Sequence, residues 1–252
     1  VGSAIAFLAA ATSLDDVHLV NQNKNEALGQ ALDISNAIPE NSPISVVGTD
    51  YSEIKNSEVI VISASTGTYV KSRTEMLPEQ ATMIRDIAKK IKKFAPDSKI
   101  IMVSNPVDIL NYIFQKETGF SRECVIGVSS SLDSSRFRYL LAKEFQTKQS
   151  EIKKALVLGE HGDSMVPIFS IAKLNSKPVL EILDEAQTEK ITKDLRDYWK
   201  ILRGFKGPSI FGSAKNIVDV IKAIIKNDVL SIPASVMLDG EYGLSDVCLG
   251  VP

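Results

Sequence analysis

Between residues 14 and 128 the chain repeats one rhythm: a short run of β-branched and aliphatic residues, a turn, a helical stretch, then another run. No other feature narrows the fold as much. The runs at 17–20, 44–47, 59–63, 99–103 and 124–128 are mostly apolar, several of them at nearly every position. A strand wetted on one face alternates polar and apolar residues, so these runs predict strands covered on both faces. The stretch 73–94 brings Met76, Gln80, Ile84, Ile87, Ala88 and Ile91 round at steps of three or four, with Ser72 placed to cap it. Strand–helix–strand alternation with right-handed crossovers builds a doubly wound parallel α/β sheet.

The rhythm changes after about residue 130. A helix over 131–145 is followed by the short runs ALVLG and MVPIFS, two long helices over 188–202 and 209–226, and the final runs VLSIPASVML and VCLGVP. This order predicts a second, α+β domain, with boundaries at 1–129 and 130–252 and a binding cleft between the two units. The chain opens on a helix over 2–11 with no strand before it and stops in a strand-like run. A doubly wound sheet feeds its first helix from a central strand, so the N-terminal strand and a C-terminal segment are read as missing.

Composition excludes several function classes. A length of 252 residues with 44% hydrophobic and 24% charged residues suffices for a sizeable core. The formal charge of −2, with lysines scattered, offers no reason to expect a nucleic acid or membrane partner. Cys124 and Cys248 form no metal-ligand or CxxC spacing and suit a reducing, cytoplasmic setting as buried thiols. His18 has no histidine neighbour, so no metal site is expected. The loop STGTYVKS ends in Lys-Ser like a phosphate loop, but Ser65 and Val70 stand where glycines are required.

Ligands of an open α/β sheet bind beyond the carboxyl ends of its strands. The residues there are Asn21, the 65–73 loop, Asn105, Asp133 with Arg136, and His161 in the turn Gly-Glu-His-Gly-Asp. Asp133 and Arg136 are three apart, on one helical face. A carboxylate beside an imidazole fixes its tautomer, and a guanidinium binds a substrate carboxylate through two N–H groups. Singly, each has a plainer reading: a surface ion pair, a turn at Asn105-Pro106, a loop-capping histidine. Their joint position at strand ends favours an acid/base site for small organic acids.

VSNPVDIL at 103–110, LDSSRFRYLLA at 132–142, GEHGDSMVP at 159–167 and LDGEYGLSDVCLGVP at 238–252 closely resemble motifs of the lactate/malate dehydrogenase family, in the family's order. The resemblance spans essentially the whole chain. It implies a dinucleotide-binding Rossmann domain, an NAD cofactor, hydride transfer to a 2-oxo acid and a homo-oligomer, dimer or tetramer. By the same resemblance His161 is the general acid/base and Asp133 orients it. Arg136 grips the substrate carboxylate, Arg73 polarises the carbonyl, and Asn105 bonds substrate and nicotinamide. Ser209 matches a small residue near substrate. Gly2, Asn21, Ser63, Ala64, Val103 and Asn105 are the matching cofactor contacts.

Three departures from the family pattern bear on function. Only the last glycine of the G-x-G-x-x-G fingerprint, Gly2, is present. Asn21 replaces the acid expected at the adenosine ribose, which admits NADP beside NAD, with Lys24 as a phosphate contact. The 65–73 loop lacks the arginine that meets a second substrate carboxylate, leaving Lys71 for that role as a point charge. Malate/oxaloacetate is favoured over lactate/pyruvate as the substrate pair. A non-catalytic binding or assembly role is the alternative if the chain natively starts at Val1.

Overall fold

The computed structural model describes residues 1–67 and 75–252. In chain order its elements are α1 (Gly2–Ala11), β1 (Val17–Val20), α2 (Lys24–Ser35), β2 (Val46–Thr49), β3 (Val59–Ile62), α3 (Leu77–Phe94), β4 (Lys99–Met102), α4 (Val107–Thr118), β5 (Val125–Gly127) and α5 (Ser130–Glu144). There follow five two-residue strands, β6 (Ile152–Lys153), β7 (Val157–Leu158), β8 (Val166–Pro167), β9 (Lys173–Leu174) and β10 (Lys177–Pro178), then α6 (Glu185–Lys206), α7 (Phe211–Ile225), β11 (Ala234–Asp239) and β12 (Ser245–Val251).

Strands β3, β4 and β5 run parallel. Their alternate residues divide cleanly: Ile60, Ile62, Ile100, Met102 and Val125 pack under α3 and α4, while Val59, Val61, Ile101 and Ile126 pack under α1 and α7. This is why the runs are apolar throughout. The α3 side is closed by Ile84, Ala88 and Ile91, and the α4 side by Leu110 and Phe114, all essentially inaccessible to water. Each large side chain buried in this way contributes roughly 1.5–3 kcal/mol.

The sheet is mixed rather than wholly parallel. The C-terminal runs, expected in the second domain, form an antiparallel hairpin that pairs with β5 through Ser235 and Gly127, in the order β12-β11-β5-β4-β3. Helix α7 likewise covers a face of this sheet. The physical reason is common to both: without them β5 would expose an edge of unpaired amides and the sheet an apolar face. Strands β1 and β2 pair in parallel as a separate two-stranded piece. Helix α1 spans the two pieces, with Ile5 against the β3–β5 face and Ala6 and Ala10 against Val17, Leu19 and Val46.

Several boundaries differ from the sequence expectation. The second strand runs 46–49 rather than 44–47, because its ladder begins with Val17 opposite Val46. The chain just before it is held instead by the Ser45 N–H donating to Asp16 Oδ1 at 2.6 Å. Helix α3 starts at Leu77 rather than 73, with Pro78 in its first turn, where the missing N–H leaves no bond unmade; Ser72 lies outside the described residues. Helix α6 starts before 188 because Asp184 and Gln187 form a reciprocal capping box. Cys124 ends a 3-10 turn rather than lying in a strand, while Cys248 is buried in β12. A second packing unit gathers Phe137, Leu140 and Leu141 of α5 with Ile191 and Leu195 of α6 and Phe169.

Strand β2 lies so close to α2 that a Cβ on Gly48 would stand 2.7 Å from the Leu28 amide nitrogen and 2.8 Å from the Ala27 carbonyl. Gly48→Ala is therefore expected to destabilise the chain by about 1–3 kcal/mol. Gly29, inside the same helix with nothing within 4 Å of an added Cβ, gives the opposite expectation: Gly29→Ala stabilises by about 0.5–1 kcal/mol. Urea unfolding at unchanged m-value checks the pair, and equal midpoints would contradict the close approach.

Candidate active site

The first site residues come from α5. Its apolar face carries Phe137, Leu140 and Leu141 into the second packing unit, and one turn back Asp133 and Arg136 are buried beside it, 1% and 7% exposed. A carboxylate so removed from water is tolerated only if both oxygens are matched. Asp133 Oδ1 accepts from Arg136 Nη1 at 3.0 Å, and Oδ2 lies 2.5 Å from His161 Nδ1. Its position in the first turn of α5 adds the favourable end of the helix dipole.

His161 arrives from the loop between β7 and β8. The loop is anchored to α5 through Ser134, whose hydroxyl donates to the Ser130 carbonyl at 2.8 Å and accepts the Val157 N–H at 2.9 Å. It is anchored to β12 by reciprocal backbone bonds between Gly159 and Gly250, 2.8 and 3.0 Å. It is anchored to α4 by the His161 N–H, which donates to Asp108 Oδ2 at 2.8 Å. Finally α6 holds it by Arg196, which donates to the Met165 carbonyl at 3.1 Å. Four elements distant in sequence thus set the position of one imidazole, itself 9% exposed.

Asp108 was not among the expected site residues. Its signal lay inside VSNPVD, three positions beyond Asn105 on the first turn of α4, where only Asn105 was singled out. Burial raises its pKa, an effect opposed by the Ser235 hydroxyl and the His161 amide. The neighbouring Cys248 thiol is pushed up to about 12 by burial and by Asp108, so it is held protonated and unreactive. Tyr198 of α6 was also missed: its ring lies 5.2 Å from the Arg136 guanidinium carbon. No spacing rule links residues 136 and 198.

The expected cofactor residues lie around the strand ends. A Cβ on Gly2 would come 2.7 Å from Ser63 Oγ, so the start of α1 lies close against the residue that follows β3. The Ala64 carbonyl accepts from Ser104 Oγ at 2.6 Å, and Val103 donates its N–H to Ile62. Asn105 Oδ1 is buried without a hydrogen-bond partner among the described residues, as expected of a group that meets a ligand. The one unmatched group in this set, Asn105 Oδ1, is an acceptor and suits a ligand that brings an N–H or O–H to it. Asn21, just after β1, accepts the Asn23 N–H on its Oδ1 at 3.0 Å. Lys24 Nζ lies 3.3 Å from Asp50 Oδ2, an acid at the end of β2 that the sequence reading passed over.

Ser209 stands in the turn before α7, near Gly212, and Gly212 in turn approaches Leu132, the neighbour of Asp133. Lys71 and Arg73 lie outside the described residues. A groove of ≈ 700 Å³ runs along α6 past Asp163, Val166, Phe169, Lys193 and Lys200, but none of Asp133, Arg136 and His161 lines it. Among the described residues no group of three His, Cys, Asp or Glu side chains could hold a metal ion, and no helix is long and apolar enough to cross a membrane.

Comparison with known proteins gives the site its context. The family model described as lactate/malate dehydrogenase, NAD binding domain, matches residues 1–127, and the lactate/malate dehydrogenase alpha/beta C-terminal domain matches 130–252. The malate dehydrogenase of Staphylococcus carnosus is 36% identical over 262 aligned residues, covering 100% of this chain and 83% of its own. Among solved structures, the lactate dehydrogenase of Cryptosporidium parvum, complexed with lactic acid and nicotinamide adenine dinucleotide, superposes with a TM-score of 0.95 at 31% identity, covering 100% of this chain and 82% of its own. The malate dehydrogenase of Aeropyrum pernix superposes with a TM-score of 0.93 at 29% identity, covering 100% and 83%. With family models matched across both halves and relatives above 30% identity over its full length, the chain belongs to the lactate/malate dehydrogenase family of NAD-linked dehydrogenases.

Proposed function

We propose that the chain interconverts malate and oxaloacetate, with NAD as the favoured cofactor and residues 130–252 supplying most of the acid/base site to a dinucleotide unit at 1–129. The observation that carries this reading is the buried Asp133 carboxylate joined to His161 on one oxygen and Arg136 on the other. The dicarboxylate choice draws on relatives such as the Staphylococcus carnosus enzyme, whose name is malate dehydrogenase. The superposition on a lactate dehydrogenase favours a second reading, lactate/pyruvate on the same residues.

Oxidising a 2-hydroxy acid removes a hydride from C2 and a proton from the hydroxyl. The nicotinamide, when bound, supplies the hydride acceptor; Gly2, Asn21, Ser63, Ala64, Val103 and Asn105 are proposed to hold the dinucleotide. His161 takes the hydroxyl proton. With Nδ1 committed to Asp133, Nε2 is the nitrogen that exchanges this proton. The imidazolium then forms against a carboxylate that is already in place, which lowers the barrier without reorganisation. Arg136 binds the C1 carboxylate, and Asn105 offers its amide to substrate and nicotinamide. Arg73 polarises the reacting carbonyl, Lys71 meets the distal carboxylate, and Ser209 borders the substrate.

NAD is favoured over NADP because Lys24, the cation available to a 2′-phosphate, already faces Asp50, whose carboxylate repels such a phosphate. A cytoplasmic homo-oligomer, dimer or tetramer, completes the reading, supported by the family resemblance and by two unpaired thiols.

Steady-state reduction of oxaloacetate and pyruvate, each with NADH and NADPH, tests the assignment. Oxaloacetate with NADH is expected to be the fastest pair; faster turnover of pyruvate replaces the malate reading by the lactate one, and preference for NADPH removes the role given to Asp50. His161→Asn is expected to lower kcat/KM by roughly 10²- to 10⁴-fold. Unchanged turnover in that variant would rule out the acid/base role.

A further inference from the structure

We propose that Tyr198 is a positioning residue for the substrate carboxylate, acting through Arg136; this rests on the carboxylate-binding role given to Arg136 above. Helix α6 carries Ile191, Leu195 and Tyr198 at steps of four and three, on one face against the second packing unit. The first two are buried aliphatic contacts, and the third places an aromatic ring 5.2 Å from the Arg136 guanidinium carbon. That lies within the reach of a cation–π contact. The ring is itself backed by Tyr139, edge-on at 6.3 Å with planes 86° apart.

Asp133 and Tyr198 restrain different things in Arg136. Asp133 takes an N–H at 3.0 Å and so locates one corner of the guanidinium. Tyr198 sets its ring beneath the group's carbon, 5.2 Å away, a contact made through the ring's π face rather than through an N–H···O bond. Bidentate binding of a carboxylate requires two of those donors to be coplanar with it. A ring packed there limits the excursions of the guanidinium, so part of its ordering is done before the substrate arrives. A guanidinium that is 7% exposed has little water to do this instead.

The test compares Tyr198→Phe and Tyr198→Leu with the wild-type full chain in steady-state reduction of oxaloacetate by NADH. Tyr198→Leu is expected to raise the KM for oxaloacetate about ten-fold, with kcat within about two-fold and the KM for NADH unchanged, since uniform binding is what is lost. Tyr198→Phe keeps the ring and is expected to stay within about two-fold of wild type in every constant. Should Tyr198→Leu not fold, as judged by thermal melting, Tyr198→Met keeps the bulk without an aromatic face and is expected to show the same split. An oxaloacetate KM indifferent to loss of the ring overturns the inference, as does Tyr198→Phe impaired as much as the aliphatic variants. A parallel loss in the KM values of oxaloacetate and NADH overturns it too, because that marks general loosening of α6. A wild-type chain that turns over neither oxaloacetate nor pyruvate removes the function on which the inference rests, whereas active wild type with unmoved KM removes the inference alone.

Discussion

A single buried carboxylate organises this molecule. Asp133 is excluded from water, and a charge in that position survives only because a guanidinium and an imidazole meet its two oxygens. The requirement runs in both directions. The helix that bears Asp133 must dock firmly enough to exclude water, and the loop that bears His161 must be held to within a few tenths of an ångström of its partner.

The anchoring of the histidine loop explains why the two halves of the chain interlock. Asp108 comes from the first half, Gly250 from the last strand, Ser134 from α5 and Arg196 from α6. The hairpin β11–β12 both extends the sheet at β5 and presents Gly250 to Gly159. The same strands therefore close a sheet edge and locate a side chain. Asp108 and Cys248 share this buried polar seam: the carboxylate is raised in pKa by burial and the thiol is held neutral, so the seam's work is positional.

Much of this was legible from residues alone, and unevenly so. The strand at 17–20 and the helix at 2–11 were read to the residue, because their limits are set locally by turn residues and by the apolar pattern. The starts of α3 and α6 were not, although Pro78 and the Asp184–Gln187 box carried the signal. Periodicity extends a helix until something breaks it, while caps and prolines decide where it begins. The meeting of Asp133, Arg136 and His161 was readable because they stand in motifs at strand ends. Asp108 was overlooked beside Asn105, and Asp50 beside Asn21, because each reaches its partner from a neighbouring element.

By itself the sequence determined the parallel β3–β5 core and the helices on both of its faces, and it singled out Asp133, Arg136 and His161 as a candidate site. Those follow from side-chain period and from residue type at strand ends, which are local properties. Only the tertiary structure decided that the last two strands turn back antiparallel onto β5, that Asp108 carries the histidine's amide, and that Tyr198 lies over Arg136. These pairings join residues 53 or more positions apart, and no local preference encodes them; they arise because a bare sheet edge, an unmatched amide and an exposed apolar face are each costly, and folding removes all three together.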